Sequence, residues 1–147
     1  MKRYNKFLNN RHRTLYQLVH ANNTVNNRFV ELLKPFDISN QKYMLLRLLR
    51  HFHPDVISMR RLRESMLGSN SDVTRLVEKL KSRELIHRRV NAVDKRVVEV
   101  MISDKGLDLL QQIDIVFPDN YYLGVLTEEQ AEQLNLLLDM LIVNEKK

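Results

Sequence analysis

Apolar residues recur along most of this chain at helical spacing. From Tyr4 to Leu33, the positions Tyr4, Leu8, Leu15, Val19, Val25, Phe29 and Leu33 fall close to a 3.6-residue period, which predicts one long amphipathic helix. Pro35 ends it, because a proline disfavours the helical conformation in the residue before it. Asn22, Asn23, Asn26 and Asn27 are weak helix formers and predict a bend or polar gap partway along. Ser39 offers an N-cap to a second helix, with Met44, Leu45, Leu48, Leu49 and Phe52 on its inner stripe and Pro54 as its stop.

Met59 to Leu67 reads as a short helix with Leu62 and Met66 inward; Gly68 breaks it and Ser69 offers a new cap. The helix that follows carries Val73, Leu76, Val77 and Leu80 at i, i+3, i+4 and i+7. Two short helices around a tight turn are the helix-turn-helix pattern. The period then changes. Ile86–Asn91 and Arg96–Ile102 are β-favouring runs joined across Ala92–Lys95, a hairpin crowded by Arg88, Arg89, Lys95 and Arg96. A hairpin directly after a helix-turn-helix is a wing. Ser103 caps a further helix with Leu107, Leu110 and Ile113 inward, closed by Pro118. Thr127-Glu128-Glu129-Gln130 is a capping box, opening a last helix with Leu134, Leu137, Leu138, Leu141 and Ile142 along one side.

Charge sharpens this picture. The net charge is +6, but residues 1–57 hold ten Lys/Arg and three acids, residues 58–96 eleven and five, and residues 103–147 three and nine. A basic middle suggests a polyanionic partner, most simply nucleic acid, which the helix-turn-helix pattern narrows to double-stranded DNA. The chain has no cysteine, which excludes disulfides and thiolate metal sites. The N-terminus MKRYNKFLNN lacks an apolar signal region, and no run approaches the ~20 apolar residues of a membrane span. The expectation is a cytoplasmic chain with no membrane partner.

With the Val73 stripe inward, Asn70, Ser71, Thr74 and Arg75 project outward from the start of their helix, and Lys79 lies further along. Such a helix fits a major groove, polar N-terminal residues at base edges and cations at phosphates. Arg75 has the chemistry for guanine O6 and N7, and Asn70 for adenine. Asp72 supports the helix N-terminus.

Residues 94–106 read DKRVVEVMISDKG. This resembles the wing signature of MarR-type (multiple antibiotic resistance regulator) winged-helix transcription factors, Asp-x-Arg followed by an apolar-x-apolar strand end and Thr/Ser-x-x-Gly. Asp94, Arg96, Val100, Ile102, Ser103 and Gly106 fall in place, and VTRLVEKL from Val73 to Leu80 is similar to the family's recognition-helix core. The resemblance runs from about Ser39 to Leu110. It implies that Arg96 enters the minor groove, with Asp94 orienting the wing by a bidentate pair to the Arg96 guanidinium. Arg88 and Lys95 join Arg96 as DNA-binding residues of the wing. It further implies an effector pocket near Phe29, Phe36 and Tyr43 for a small molecule whose binding changes the spacing of two recognition helices. Three residues depart from the family: Glu84 stands where glycine is frequent, Arg63 where a small residue is, and Lys95 where arginine is. A left-handed turn at Glu84 would strain it by about 1 kcal/mol.

The run His51-Phe52-His53-Pro54-Asp55 spells His-x-His-x-Asp, the opening of a hydrolase metal motif. The further histidine that motif needs is replaced by Val56, and i, i+2 side chains on a helix point apart. The run is read as a helix terminus, with no metal site, no cofactor and no catalytic residue. The expected architecture is mainly α, a winged helix-turn-helix with a two-stranded wing. Residues 1–38 form an N-terminal dimerisation helix, 39–102 the DNA-binding lobe and 103–147 C-terminal dimerisation helices. The expected function is a DNA-binding transcriptional regulator, a ligand-responsive repressor acting as a homodimer on a pseudo-palindromic operator. A winged-helix interaction module without specific DNA binding is the alternative.

Overall fold

A computed structural model of the chain describes residues 9–66, 70–117 and 124–143, with only the backbone of Asn70, Ser71 and Val143. The elements are α1 (Asn10–Leu33), a 3-10 turn (Lys34–Phe36), α2 (Asn40–Phe52), β1 (Ile57–Ser58), α3 (Met59–Ser65), α4 (Asn70–Ser82), β2 (Ile86–Val90), β3 (Val98–Ile102), α5 (Asp104–Val116) and α6 (Glu128–Val143). The chain divides into two compact units, Met1–Ile113 and Asp114–Lys147, and each is described by itself.

In the first unit, Asn9 caps α1 by accepting a hydrogen bond from the His12 N–H at 3.0 Å. Tyr4 and Leu8 lie outside the described residues, as do Gly68 and Ser69. The asparagine cluster does not interrupt α1, which continues unbroken to Leu33. The weak propensities are offset by side-chain bonds: Asn26 Nδ2 donates to Asn22 Oδ1 at 3.2 Å, and Asn40 Nδ2 donates to Asn26 Oδ1 at 2.9 Å, tying α1 to the start of α2. On α2 the buried residues are Tyr43, Leu45, Leu46 and Leu49. The expected stripe was therefore rotated, with Met44 47% exposed and Leu48 and Phe52 half-buried. The reason is packing: α2 touches α1 on one side and both α4 and β3 on another, more than one amphipathic stripe. Ser39 stands at the N-cap, but its side chain makes no capping bond.

The wing is part of a three-stranded antiparallel sheet, order β1-β3-β2, rather than a two-stranded hairpin. The third strand is only Ile57–Ser58 and pairs with Val100 and Glu99; two residues give too little alternation to be seen as a strand. Strands β2 and β3 pair from Ile86↔Ile102 to Val90↔Val98, shorter at the tip than the sequence suggested. Ser58 also caps α3, accepting from Arg61 N–H at 3.2 Å. His51 lies in the last turn of α2 and His53 is its C-cap, so the histidine run is a helix terminus as expected.

Helix α4 ends in a Schellman arrangement. Leu85 N–H bonds the Leu80 carbonyl at 3.1 Å and Glu84 N–H bonds the Lys81 carbonyl at 2.8 Å, which puts Glu84 at the position that favours a left-handed residue. Its φ is +61°, so the strain expected for a non-glycine residue is present. Ser103 Oγ donates to the Glu84 carbonyl at 2.7 Å and accepts the Gly106 N–H at 3.1 Å. The Leu85 carbonyl, which accepts the Ser103 N–H at 3.1 Å, lies so close to α5 that a Cβ on Gly106 would stand 2.2 Å from it and 2.7 Å from Ile102 Cγ1. Only glycine fits there.

In the second unit, the capping box forms as expected. Gln130 N–H donates to Thr127 Oγ1 at 3.2 Å and Thr127 N–H to Gln130 Oε1 at 2.9 Å. Leu136, Leu137, Met140, Leu141 and Ile142 on α6 are 53–65% exposed. Among the described residues no helix is long and apolar enough to cross a membrane.

These contacts assign opposite signs to two glycine substitutions. Glu84→Gly relieves the left-handed strain and should stabilise by up to about 1 kcal/mol, since the exposed Lys105–Glu84 pair it removes is worth little. Gly106→Ala should destabilise by roughly 2–3 kcal/mol, because the atoms it meets include backbone that cannot turn aside. Urea unfolding of the two variants beside the parent checks both, and a stabilising Gly106→Ala would contradict the packing described.

Candidate nucleic-acid interface

Helix α4 keeps Val73, Val77 and Leu80 at 0–1% exposure and so fixes what its other face presents. Arg75 and Lys79 are exposed on it, and Thr74 is half-buried. Asn70 and Ser71 occupy its first turn, with side chains outside the described residues, and Asp72 supplies the acidic group there. Thr74 is not a simple outward hydroxyl: Arg63 Nη2, reaching across from α3, donates to Thr74 Oγ1 at 3.1 Å. That contact explains the large residue at position 63, and it links the two helices of the helix-turn-helix. Sequence pattern gave no sign of it, because the partners are eleven residues apart on different elements.

Among the described residues, α4 and the wing loop present five cations. Arg75, Lys79 and Lys81 are exposed on α4, and Lys95 and Arg96 in the loop between β2 and β3. Arg88, expected to join them, is exposed as well but ion-paired within the lobe. Its Nη1 lies 2.9 Å from Glu78 Oε1 on α4, with about a third of the Arg88 side chain exposed (34%). The pair braces the wing against the recognition helix.

The wing loop is built by two acceptor side chains. Asn91 Oδ1 takes the N–H of Val93 at 2.8 Å and of Asp94 at 2.9 Å. Asp94 Oδ1 takes the Arg96 backbone N–H at 2.9 Å. This corrects the expected bidentate pair: Asp94 orients the wing through the backbone of Arg96 and not through its guanidinium. A short acidic side chain reaches an amide two residues ahead in its own turn. At the wing's base, Arg89 Nε donates to Glu99 Oε2 at 2.9 Å, and Asn91 Nδ2 donates to Glu99 Oε1.

Hydrogen bonds from Asn91 and then Arg89 hold the Glu99 carboxyl below its ordinary 4.5. The bond from Lys105 does the same for Glu84. Phe29 and Tyr43 lie in tilted ring contact at 5.9 Å, and Tyr43 is 2% exposed, so these two residues pack the seam of α1 and α2. Phe36 sits half-buried in the 3-10 turn. A cavity of about 400 Å³ opens between α2 and the end of α3, lined by residues that include Asn40, Met44, Leu48 and Met66 and by none of the three aromatics.

The family model described as MarR family matches residues 36–97. The chain is 26% identical over 135 residues to the HTH-type transcriptional regulator MhqR of Bacillus subtilis, a match spanning 88% of this chain and 90% of that protein. It is similar to the solved MarR transcription factor from Planctomyces limnophilus, at 28% identity and a TM-score of 0.67 over 92% of this chain and 99% of that one. Its fold is also that of MepR from S. aureus, solved with DNA, at a TM-score of 0.80 and 20% identity over 94% of this chain and all (100%) of that one.

The lowered carboxyl at Glu99 sets a pH dependence. An unfolded glutamate takes up a proton near 4.5, while the folded one stays ionised to lower pH. Its contribution is complete above that value and is lost as pH falls through the folded pKa. The stability difference between the parent and Glu99→Gln should therefore be widest near neutrality and close as the pH falls below the ordinary 4.5 and through the folded pKa. A difference that stays constant across that range would mean Glu99 is not held as an anion.

Proposed function

The chain belongs to the MarR family, and from that premise we propose that it is a sequence-specific DNA-binding regulator of transcription acting as a homodimer. The observation that carries the proposal is the division of cations. Arg75, Lys79 and Lys81 on α4 and Lys95 and Arg96 on the wing are exposed, with no acidic partner among the described residues, while Arg88 and Arg89, themselves at the surface, are ion-paired to Glu78 and Glu99. In this reading α4 enters a major groove, Arg75 meets base edges and Lys79 meets phosphate. The wing carries Arg96 to the neighbouring minor groove, where a narrow A/T segment concentrates negative potential.

The homodimer is supported by apolar surface. Leu15, Val19 and Val30 of α1 are 54–63% exposed, and the α6 residues named above are similarly bare. A second copy is the economical cover for such faces. Repression follows from occupying an operator, and a small-molecule effector belongs to the same reading; a cavity of about 400 Å³ is of the size that small ligands fill.

Selection from a random duplex library should enrich an inverted repeat with half-sites about one helical turn apart. Retention of duplexes without any shared sequence would reduce the protein to a nonspecific binder. On the enriched operator, Arg96→Ala should weaken binding by about ten- to a hundredfold with the dimer intact, and an affinity within twofold of the parent would remove the wing from the interface. Arg75→Ala should relax preference at one symmetric pair of positions, read by repeating the selection with the variant.

A further inference from the structure

We propose that Glu99 is a positioning residue for DNA binding, setting the wing turn that presents Lys95 and Arg96 through Asn91. The proposal rests on the DNA-binding reading above and adds a residue to it.

Glu99 lies on β3, the middle strand of the sheet, directly across from Arg89. It is 9% exposed and, with Ser103, one of two buried polar residues among those described. A carboxylate so placed needs donors at both oxygens, and it has them: Arg89 Nε at Oε2 and Asn91 Nδ2 at Oε1. Holding the amide nitrogen of Asn91 fixes which way its oxygen faces. That oxygen accepts the N–H groups of Val93 and Asp94. Asp94 in turn accepts the Arg96 N–H on its carboxylate and the Val97 N–H on its carbonyl, the latter at 2.9 Å. Asn91 N–H closes the loop on the Val97 carbonyl at 2.9 Å.

The loop needs this chain of bonds because its sequence supplies no other shaping. Between Asn91 and Val97 stand Ala92, Val93, Asp94, Lys95 and Arg96, without the glycine or proline that ordinarily fixes a turn. Val93 is 96% exposed, so no apolar packing anchors the tip. The tip is held from below, by the buried anion. Arg89 serves the same end by occupying the other carboxylate oxygen.

Glu99→Gln keeps the shape of the side chain and turns one acceptor into a donor facing a donor. On the selected operator it should lower affinity about five- to tenfold, and Asn91→Ala should do the same. In a Lys95→Ala/Arg96→Ala background, each should cost less than twofold, because nothing remains for the turn to present. Equal losses in both backgrounds would mean that Glu99 supports the lobe in general and does not act through the wing tip, and no loss in the parent background would overturn the proposal directly. Amide hydrogen exchange on the free protein gives a readout independent of DNA. Val93 and Asp94 should be protected in the parent and lose at least fivefold of that protection in both variants; unchanged protection would sink the relay. If the parent binds no duplex, the DNA-binding reading fails, and the exchange data still decide whether Glu99 sets the turn. Should Glu99→Gln fold poorly, Asn91→Ala, in the loop itself, carries both readouts.

Discussion

Everything the lobe does depends on one crossing, where the chain leaves α4, passes through Glu84 and Leu85, and meets the start of α5. The Leu85 carbonyl lies where no Cβ can stand on Gly106, and Ser103 bonds both the Glu84 carbonyl and the Gly106 amide. Three elements are thereby fixed at once: the end of the recognition helix, the base of the wing and the first turn of α5. The crossing is tight enough to hold a non-glycine residue at φ +61°, a conformation that costs about 1 kcal/mol. Relaxing it would let α4 and the wing move independently, and two groove-reading elements without a fixed separation cannot share one register on a duplex.

The same economy governs charge. Eleven Lys/Arg fall within residues 58–96, but their number says little about a binding surface until their partners are known. Arg63 joins α3 to Thr74 of α4. Arg83 donates to the Asp37 carbonyl, tying the end of α4 to the left-handed residue after the 3-10 turn. Arg88 links β2 to α4 and Arg89 links β2 to β3. Arg61 lies over the Phe52 ring, 4.8 Å from its centre. These arginines are internal fasteners whose planar groups suit fixed geometry. The cations presented outward on α4 and at the wing tip are what such fastening leaves available to a polyanion.

Much of this was legible in the sequence, and what was not has a common cause. Helix periodicity, the Thr127–Gln130 capping box and the helix-terminal character of the histidine run are local patterns, and local patterns survive in one dimension. The asparagine cluster in α1 misled because propensity ignores a partner such as Asn40, fourteen residues away. The stripe on α2 was rotated because that helix packs on more than one side. Asp94 bonds the backbone amide of Arg96 and not its guanidinium, and a sequence motif does not say which atom of Arg96 it serves. Arg63 stood out in the sequence only by its size, without its partner, and Glu99 and Asn91 escaped altogether. Each acts across elements, and the only local hint was an asparagine at the mouth of a turn.

A lobe fastened in this way also limits how its DNA binding can be controlled. The distance from α4 to the wing is set by buried backbone contacts and paired charges within one copy, so an effector cannot retune it without breaking a packed junction. Packed cores switch between discrete arrangements and do not stretch. In the proposed homodimer the softer coordinate is the separation of the two lobes, and apolar residues on α1, and separately on α6, are exposed for a second copy to cover. A ligand acts on that coordinate only through a difference in affinity between the lobe spacings. On the dimeric reading proposed above, regulation belongs to the interface between copies, while α4, the wing and the turn that Glu99 holds travel as one rigid body.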